Sequence, residues 1–308
     1  MTPGNFPFLM AGAFSLICGP GDKGIVKGTN GTQRTTTCPC GKSNEVYIIV
    51  VHGSHNRLRI YGAEEMSPNQ YPFMLLIVQI EKLTRRRKFL GGATILTERH
   101  AVTAAQCTRG LAPNADISVV AGAHDRSKLT ANTMMVPVTK HLEHDGYDAK
   151  TLQNDICLLF LASPLRFGRN ISPICLPTNQ VSLENKDVTI IGWGMVGINQ
   201  PVGRILRRVD VKILPHSECK PVWLPLYNPR PGIFNQICTG AKGKGACLGD
   251  KGGPVIYLDP EIDRYVLVGV VSFGDELCYP DHKTVESNVS YYMPWITSHI
   301  KSGYCQKI

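Results

Sequence analysis

Short apolar runs, each closed off by turn residues, set the strongest limit on how this chain folds. "FMLLIVQI" (73–80), "ATILT" (93–97), "VTIIGWG" (188–194) and "YVLVGVVSF" (265–273) are dense in Ile, Val, Leu and Phe. Runs of this length between turns read as buried strands. None reaches the roughly 20 apolar residues that a membrane-spanning helix needs. With 43% hydrophobic and 19% charged residues over 308 positions, the chain can bury a large core in one or two domains. A helical period enters only at "MPWITSHIKSGY" (293–304). The expectation is an all-β architecture with a C-terminal helix.

Eleven cysteines are spread along the chain without paired metal-ligand spacing, which favours disulfides in an oxidising, extracellular compartment. The sequons at Asn30, Asn170 and Asn288 agree with secretion and glycosylation. Composition changes near residue 60. Residues 1–59 are rich in Gly, Thr and Asn, and "KGTNGTQRTTTCPCGKSN" (27–44) reads as loop. The opening "MTPGNFPFLMAGAFSLICG" has the apolar core of a signal peptide but not its usual basic start. Residues 1–59 are therefore read as a signal or pro-region with a cysteine-containing linker, and residues 60–308 as the principal domain.

Eight motifs in order, "RIYGAEEMSPNQYPFM", "GGATILTERHAVTAAQC", "NDICLLFL", "PICLP", "IIGWG", "ACLGDKGGPV", "VVSFG" and "VSYYMPWI", resemble the chymotrypsin and trypsin family of serine proteases. The resemblance runs from residue 60 to about 300 and implies two six-stranded antiparallel β-barrels with a cleft between them. "CPCG", "AGAHD", "AKGKGAC" and "GYCQKI" are similar to the corresponding parts of insect venom and haemolymph members.

Catalysis in that family needs a serine hydroxyl, a histidine to take its proton and a buried aspartate to orient the imidazole. In "TAAQC" the histidine position holds Gln106, whose amide has no usable basic lone pair. In "GDKGG" the serine position holds Lys251, whose ammonium is protonated and not nucleophilic unless strongly desolvated. Asp155 in "NDICLL" remains. The expectation is a protein that is not an enzyme and needs no cofactor. Either Gln106 and Lys251 both join Asp155 in a structural polar network, or Lys251 points into solvent in an open cleft. Ser272 as a nucleophile paired with Lys251 is disfavoured, because the resemblance makes it a lining residue.

The resemblance also implies a specificity pocket. Gly245 stands where trypsin-like members hold an aspartate, Thr284 where a glycine gives access, and Glu286 where a tyrosine closes the base; Ser272 and Gly274 line the wall. Gly249 belongs to the former oxyanion hole. By the same resemblance Asp250 stands where a new N-terminal amine is received after cleavage of an Arg59–Ile60 bond, and the retained pair reads either as a conformational switch or as inheritance without present use. Implied disulfides are Cys219–Cys238 and Cys247–Cys278, with Cys40–Cys175 tying the linker to the domain. Leu90 replaces the usual partner of Cys107, and Cys157 is unexpected; these two either pair with each other or stay free. Cys18, Cys38 and Cys305 are left without an assigned partner.

A metal at His141 and His144 is not expected, nor calcium at Asp125, flanked by Ala123 and Ser127. The formal charge of +9 and the run Arg85, Arg86, Arg87, Lys88 suit either a solvated loop or a polyanion such as a sulfated glycan. Nothing points to base-specific nucleic-acid reading. The functional expectation is a secreted, non-catalytic homologue. It binds other proteins, such as active proteases or their zymogen substrates, in an immune cascade or as a venom component. A cationic antimicrobial or glycan-binding protein and an active endopeptidase with unusual residues are the alternatives.

Overall fold

The structure is a computed structural model. It describes residues 40–44, 63–112, 114–178, 182–195, 197, 200–223, 235–274, 283–301 and 303–306, with the backbone alone at 220–223 and in three N-terminal strands.

Twelve strands carry the fold. The first six are β1 (Met74–Glu81), β2 (Arg87–Thr97), β3 (His100–Thr103), β4 (Ala115–Ala121), β5 (Met134–Glu143) and β6 (Cys157–Leu161). They close into an antiparallel barrel in the order β1-β2-β3-β6-β5-β4. The second six are β7 (Asp187–Gly192), β8 (Arg207–Ile213), β9 (Gln236–Gly240), β10 (Pro254–Asp259), β11 (Arg264–Phe273) and β12 (Thr284–Asn288). Their ring order, β7-β8-β9-β12-β11-β10, repeats the first. Closure leaves neither barrel with a free edge.

Local sequence explains the pattern. Along β8, Val209, Val211 and Ile213 are buried while Asp210 and Lys212 are exposed, the two-residue alternation of a strand with one wet face. β11 instead buries nine of its ten residues and β1 its first five, because each has one face in a barrel and the other against neighbouring structure. Between β1 and β2 the chain turns through Arg85 at φ 58°, and Arg85 N donates to Glu81 O at 2.9 Å.

Helix α1 (His216–Trp223) and helix α2 (Val289–Ile300) complete the domain. The expected C-terminal helix therefore starts four residues earlier than its periodicity indicated, directly from β12. It ends at Lys301, whose φ of 49° breaks the helix while its N–H still reaches Thr297 O at 3.1 Å. The α1 helix was not expected, being too short for a periodicity. Residues 27–44, expected as loop, include the strand Gln33–Thr37, which pairs with Lys23–Lys27 and through it with Ser15–Cys18. Three consecutive threonines at 35–37 carry strand propensity that a Gly- and Asn-rich surround masks.

Candidate functional site

The glycine-rich loop at 246–253 is built around one residue. Gly252 takes φ +77°, and a Cβ there would lie 2.2 Å from Thr103 Oγ1 and 2.5 Å from Gly92 O. Only glycine fits so close an approach between the barrels. Gly92 N donates to Lys251 O at 2.9 Å, and Gly253 N to Asp250 O at 2.9 Å. These bonds fix the loop and hold Lys251 at the cleft, where it lines a pocket together with Ala246, Leu248, Ser272, Gly274 and Thr284.

Asp155, fully buried, precedes β6. Its Oδ1 accepts from Gln106 N at 2.9 Å; its Oδ2 accepts from Gln106 Nε2 and from Ser272 Oγ at 2.6 Å. The second Gln106 amide hydrogen goes to Ser272 O at 2.9 Å. Gln106 stands on a tight 3-10 turn, Ala105–Cys107, so the donor facing the carboxylate is a carboxamide nitrogen that cannot take up a proton near neutrality. Burial raises the Asp155 pKa, while the hydrogen bonds from Ser272 and Gln106 and the charge of Lys251 oppose the rise. Ser287 Oγ donates to Asp155 O at 2.7 Å, so both barrels grip this residue.

Lys251 does not join the cluster by contact. Among the described residues its ammonium has neither an ion pair nor a hydrogen bond. The carboxylate it was expected to reach is already served by three donors; Lys251 is half-buried and acts on Asp155 through its charge alone.

The pocket wall is narrow. A Cβ on Gly274 would meet Thr284 Cγ2 at 2.7 Å, so the β-branched side chain fills space beside it. Gly245, just before Ala246, contributes no side chain. Behind Thr284 lies a polar cluster that sequence reasoning missed: Thr239 and Thr284 hydroxyls each donate to Glu286 Oε1 at 2.7 Å. Glu286 is fully buried, its Oε2 has no partner among the described residues, and burial pushes its pKa up to about 7. A glutamate at an inward position of a buried strand was the available signal.

Asp250 faces away from the pocket. Its oxygens accept from Gly194 N at 2.7 Å and Cys247 N at 2.9 Å. A Cβ on Gly192 or Gly194 would lie 2.0 or 2.2 Å from this carboxylate, which accounts for both glycines of "GWG". Burial pushes Asp250 up to about 6 against those hydrogen bonds. Arg59 and Ile60 lie outside the described residues. Gly249, at φ +102°, precedes Asp250, and the N–H groups of Gly249 and Lys251 meet no acceptor among the described residues.

The Cys40–Cys175 and Cys219–Cys238 disulfides form, with S–S distances of 2.09 and 2.19 Å. Cys247 is disulfide-bonded, as is Cys305; Cys278 and Cys38 lie outside the described residues, and Cys18 ends a strand described by its backbone alone. Cys107 and Cys157 do not pair and are buried free thiols, both pushed up to about 12 by burial, which leaves them unreactive. Asn30 lies outside the described residues, Asn170 sits half-buried in a turn, and Asn288 Oδ1 accepts from Ser290 Oγ at 2.8 Å. His144 stacks among Tyr292 and Trp295, with ring centroids 5.4 and 5.2 Å away. Asp125 accepts from Ser127 Oγ at 2.6 Å and pairs with Arg204 at 3.5 Å. No helix of the described residues is long and apolar enough to cross a membrane.

Comparison with known proteins agrees with this geometry. Residues 60–296 match the family model described as Trypsin. The chain is 34% identical over 249 residues to the clotting factor G beta subunit of Tachypleus tridentatus, covering 77% of this chain and 78% of that protein. It is 31% identical to the proclotting enzyme of the same animal, over 92% of this chain and 78% of the other. Venom serine protease 34 of Apis mellifera is 31% identical, over 88% of this chain and 63% of its own length.

Proposed function

The chain belongs to the trypsin family, and we propose that it acts there without catalysis, as an extracellular protein that binds other proteins. One observation carries this reading: the group donating to Asp155 is the Gln106 carboxamide, and the side chain at the tip of the glycine-rich loop is Lys251. Neither can perform the proton transfer and acyl transfer of the triad. Ser272 offers no substitute nucleophile, since it is fully buried with its hydroxyl turned to Asp155 at 2.6 Å. Relatives named for clotting and for venom suggest a regulator in a proteolytic cascade or a venom component, with active proteases or zymogens as partners.

The test is treatment of the purified chain with a serine-directed fluorophosphonate beside an active trypsin. The proposal requires no covalent adduct on this chain; an adduct on any serine of the cleft, accompanied by peptide turnover, would overturn it.

A second reading has its own observation. Arg85, Arg86, Arg87 and Lys88 are all exposed on the β1–β2 hairpin, and none is ion-paired among the described residues. Such a cluster suits a sulfated glycan. Heparin retention that survives replacement of all four by glutamine would remove this reading.

A further inference from the structure

Three carboxylates surround the cleft, and each is already engaged elsewhere. Asp155 takes its three donors from Gln106 and Ser272. Asp250 turns to the backbone of Gly194 and Cys247. Glu286 is held by Thr239 and Thr284 behind the pocket wall. Lys251 is left with a charge and neither an ion pair nor a hydrogen bond for its ammonium among the described residues, on the wall of a pocket whose lining includes no acidic side chain. The unpaired N–H groups of Gly249 and Lys251 lie in the same loop. An unpaired ammonium and free amide donors are what a carboxylate seeks, and such charge-assisted hydrogen bonds are the stronger kind.

We propose that this cleft is a receptor for an acidic side chain presented by a loop of a partner protein, with the carboxylate held by the Lys251 ammonium and the backbone N–H groups of Gly249 and Lys251. The charge preference of a trypsin-like pocket is thereby inverted. Space favours a small acid: Thr284 Cγ2 crowds Gly274, at 2.7 Å from the position of its absent Cβ, which narrows the pocket for a long basic side chain. Glu286, pushed up to about 7, is mostly neutral in mildly acidic solution and adds little repulsion there. The inference rests on the non-catalytic reading, because a substrate would be released as product rather than held.

Binding of four capped peptides to the full chain at pH 6, by calorimetry, tests it: acetyl-Ala-Ala-Pro-X-amide with X as Asp, Asn or Arg, and acetyl-Ala-Ala-Pro-Ala as the free acid. The Asp peptide should bind about tenfold or more tightly than the Asn peptide, with the Arg peptide weakest. Lys251→Met should abolish the preference and Lys251→Arg should keep it, which controls for a folding defect in either variant. Equal affinity for Asp and Asn peptides overturns the proposal, as does an Arg preference. So does an Asp preference that survives Lys251→Met. Binding of the free acid alone overturns the side-chain assignment. Hydrolysis of any peptide amide in the same samples would instead defeat the non-catalytic reading, whatever the affinities.

Discussion

Asp155 is fully buried, and the chemistry of the cleft turns on what its carboxylate receives. Removing the Gln106 carboxamide would strip two of the bonds to Asp155 and Ser272 and leave a buried carboxylate underserved. Gln106→Ala should cost about 1 to 3 kcal/mol in urea denaturation; an unchanged midpoint would mean that the network contributes nothing. Restoring the two missing groups should not restore trypsin-like specificity. The Gln106→His, Lys251→Ser double variant still lacks an acid at Gly245 and keeps Thr284 against Gly274, so cleavage after arginine should stay at background. Glu286 gives a pH dependence of known sign. Its folded value near 7 exceeds the ordinary 4.5, so the folded chain holds the proton more tightly than the unfolded chain. The associated stability is present below about pH 4.5 and lost as pH rises through 7, an effect of roughly 3 kcal/mol. Glu286→Gln should flatten that part of the stability profile; an identical slope in the variant would contradict it. Gln106 and Lys251 could be read from the sequence because they interrupt motifs with fixed residue types. The hydroxyls of Ser272 on Asp155 and Thr239 on Glu286 could not, because the partners are 117 and 47 residues apart and meet only through barrel closure.

At the scale of elements, the junction of β2 with the 105–107 turn lacks a covalent tie. A Cβ on Gly91 would lie 2.9 Å from Cys107 Sγ, so this free thiol rests directly against the strand that carries Leu90. Leu90→Cys should capture it as a disulfide and add about 3 kcal/mol for a loop of this length. Thiol titration of denatured protein should show Cys107 consumed; an undiminished Cys107 thiol would show that the geometry does not permit the bridge. The strands themselves were legible, since runs such as 73–80 and 265–273 are dense in apolar residues between turns. Closure of the strands into two barrels of identical order was not, because strand pairing across loops leaves no local trace; that expectation came from resemblance. The α1 helix and the Gln33–Thr37 strand escaped for the opposite reason, being too short and too polar to carry a period.

For the whole molecule, the retained Arg59–Ile60 bond and Asp250 raise the prospect of a switch without an activity. In the uncut chain Asp250 is a buried carboxylate pushed up to about 6, with two backbone donors and no ion pair among the described residues. A new N-terminal ammonium after cleavage at Arg59 would pair with it and lower that pKa. The cut form should therefore gain stability over the uncut form mainly above pH 6. Asp250→Ala should hurt the cut form more, by about 3 to 5 kcal/mol. Equal hydrogen-exchange protection of the 246–253 loop before and after cutting would show the bond to be a relic. The most direct measurement is peptide turnover by the chain cut at Arg59, on a library of mixed sequences, with Lys251→Ala run in parallel. The account predicts that both proteins hydrolyse amides no faster than the roughly 10³ to 10⁴ over water that a site without its triad retains. Turnover far above that level, abolished by Lys251→Ala, would contradict it.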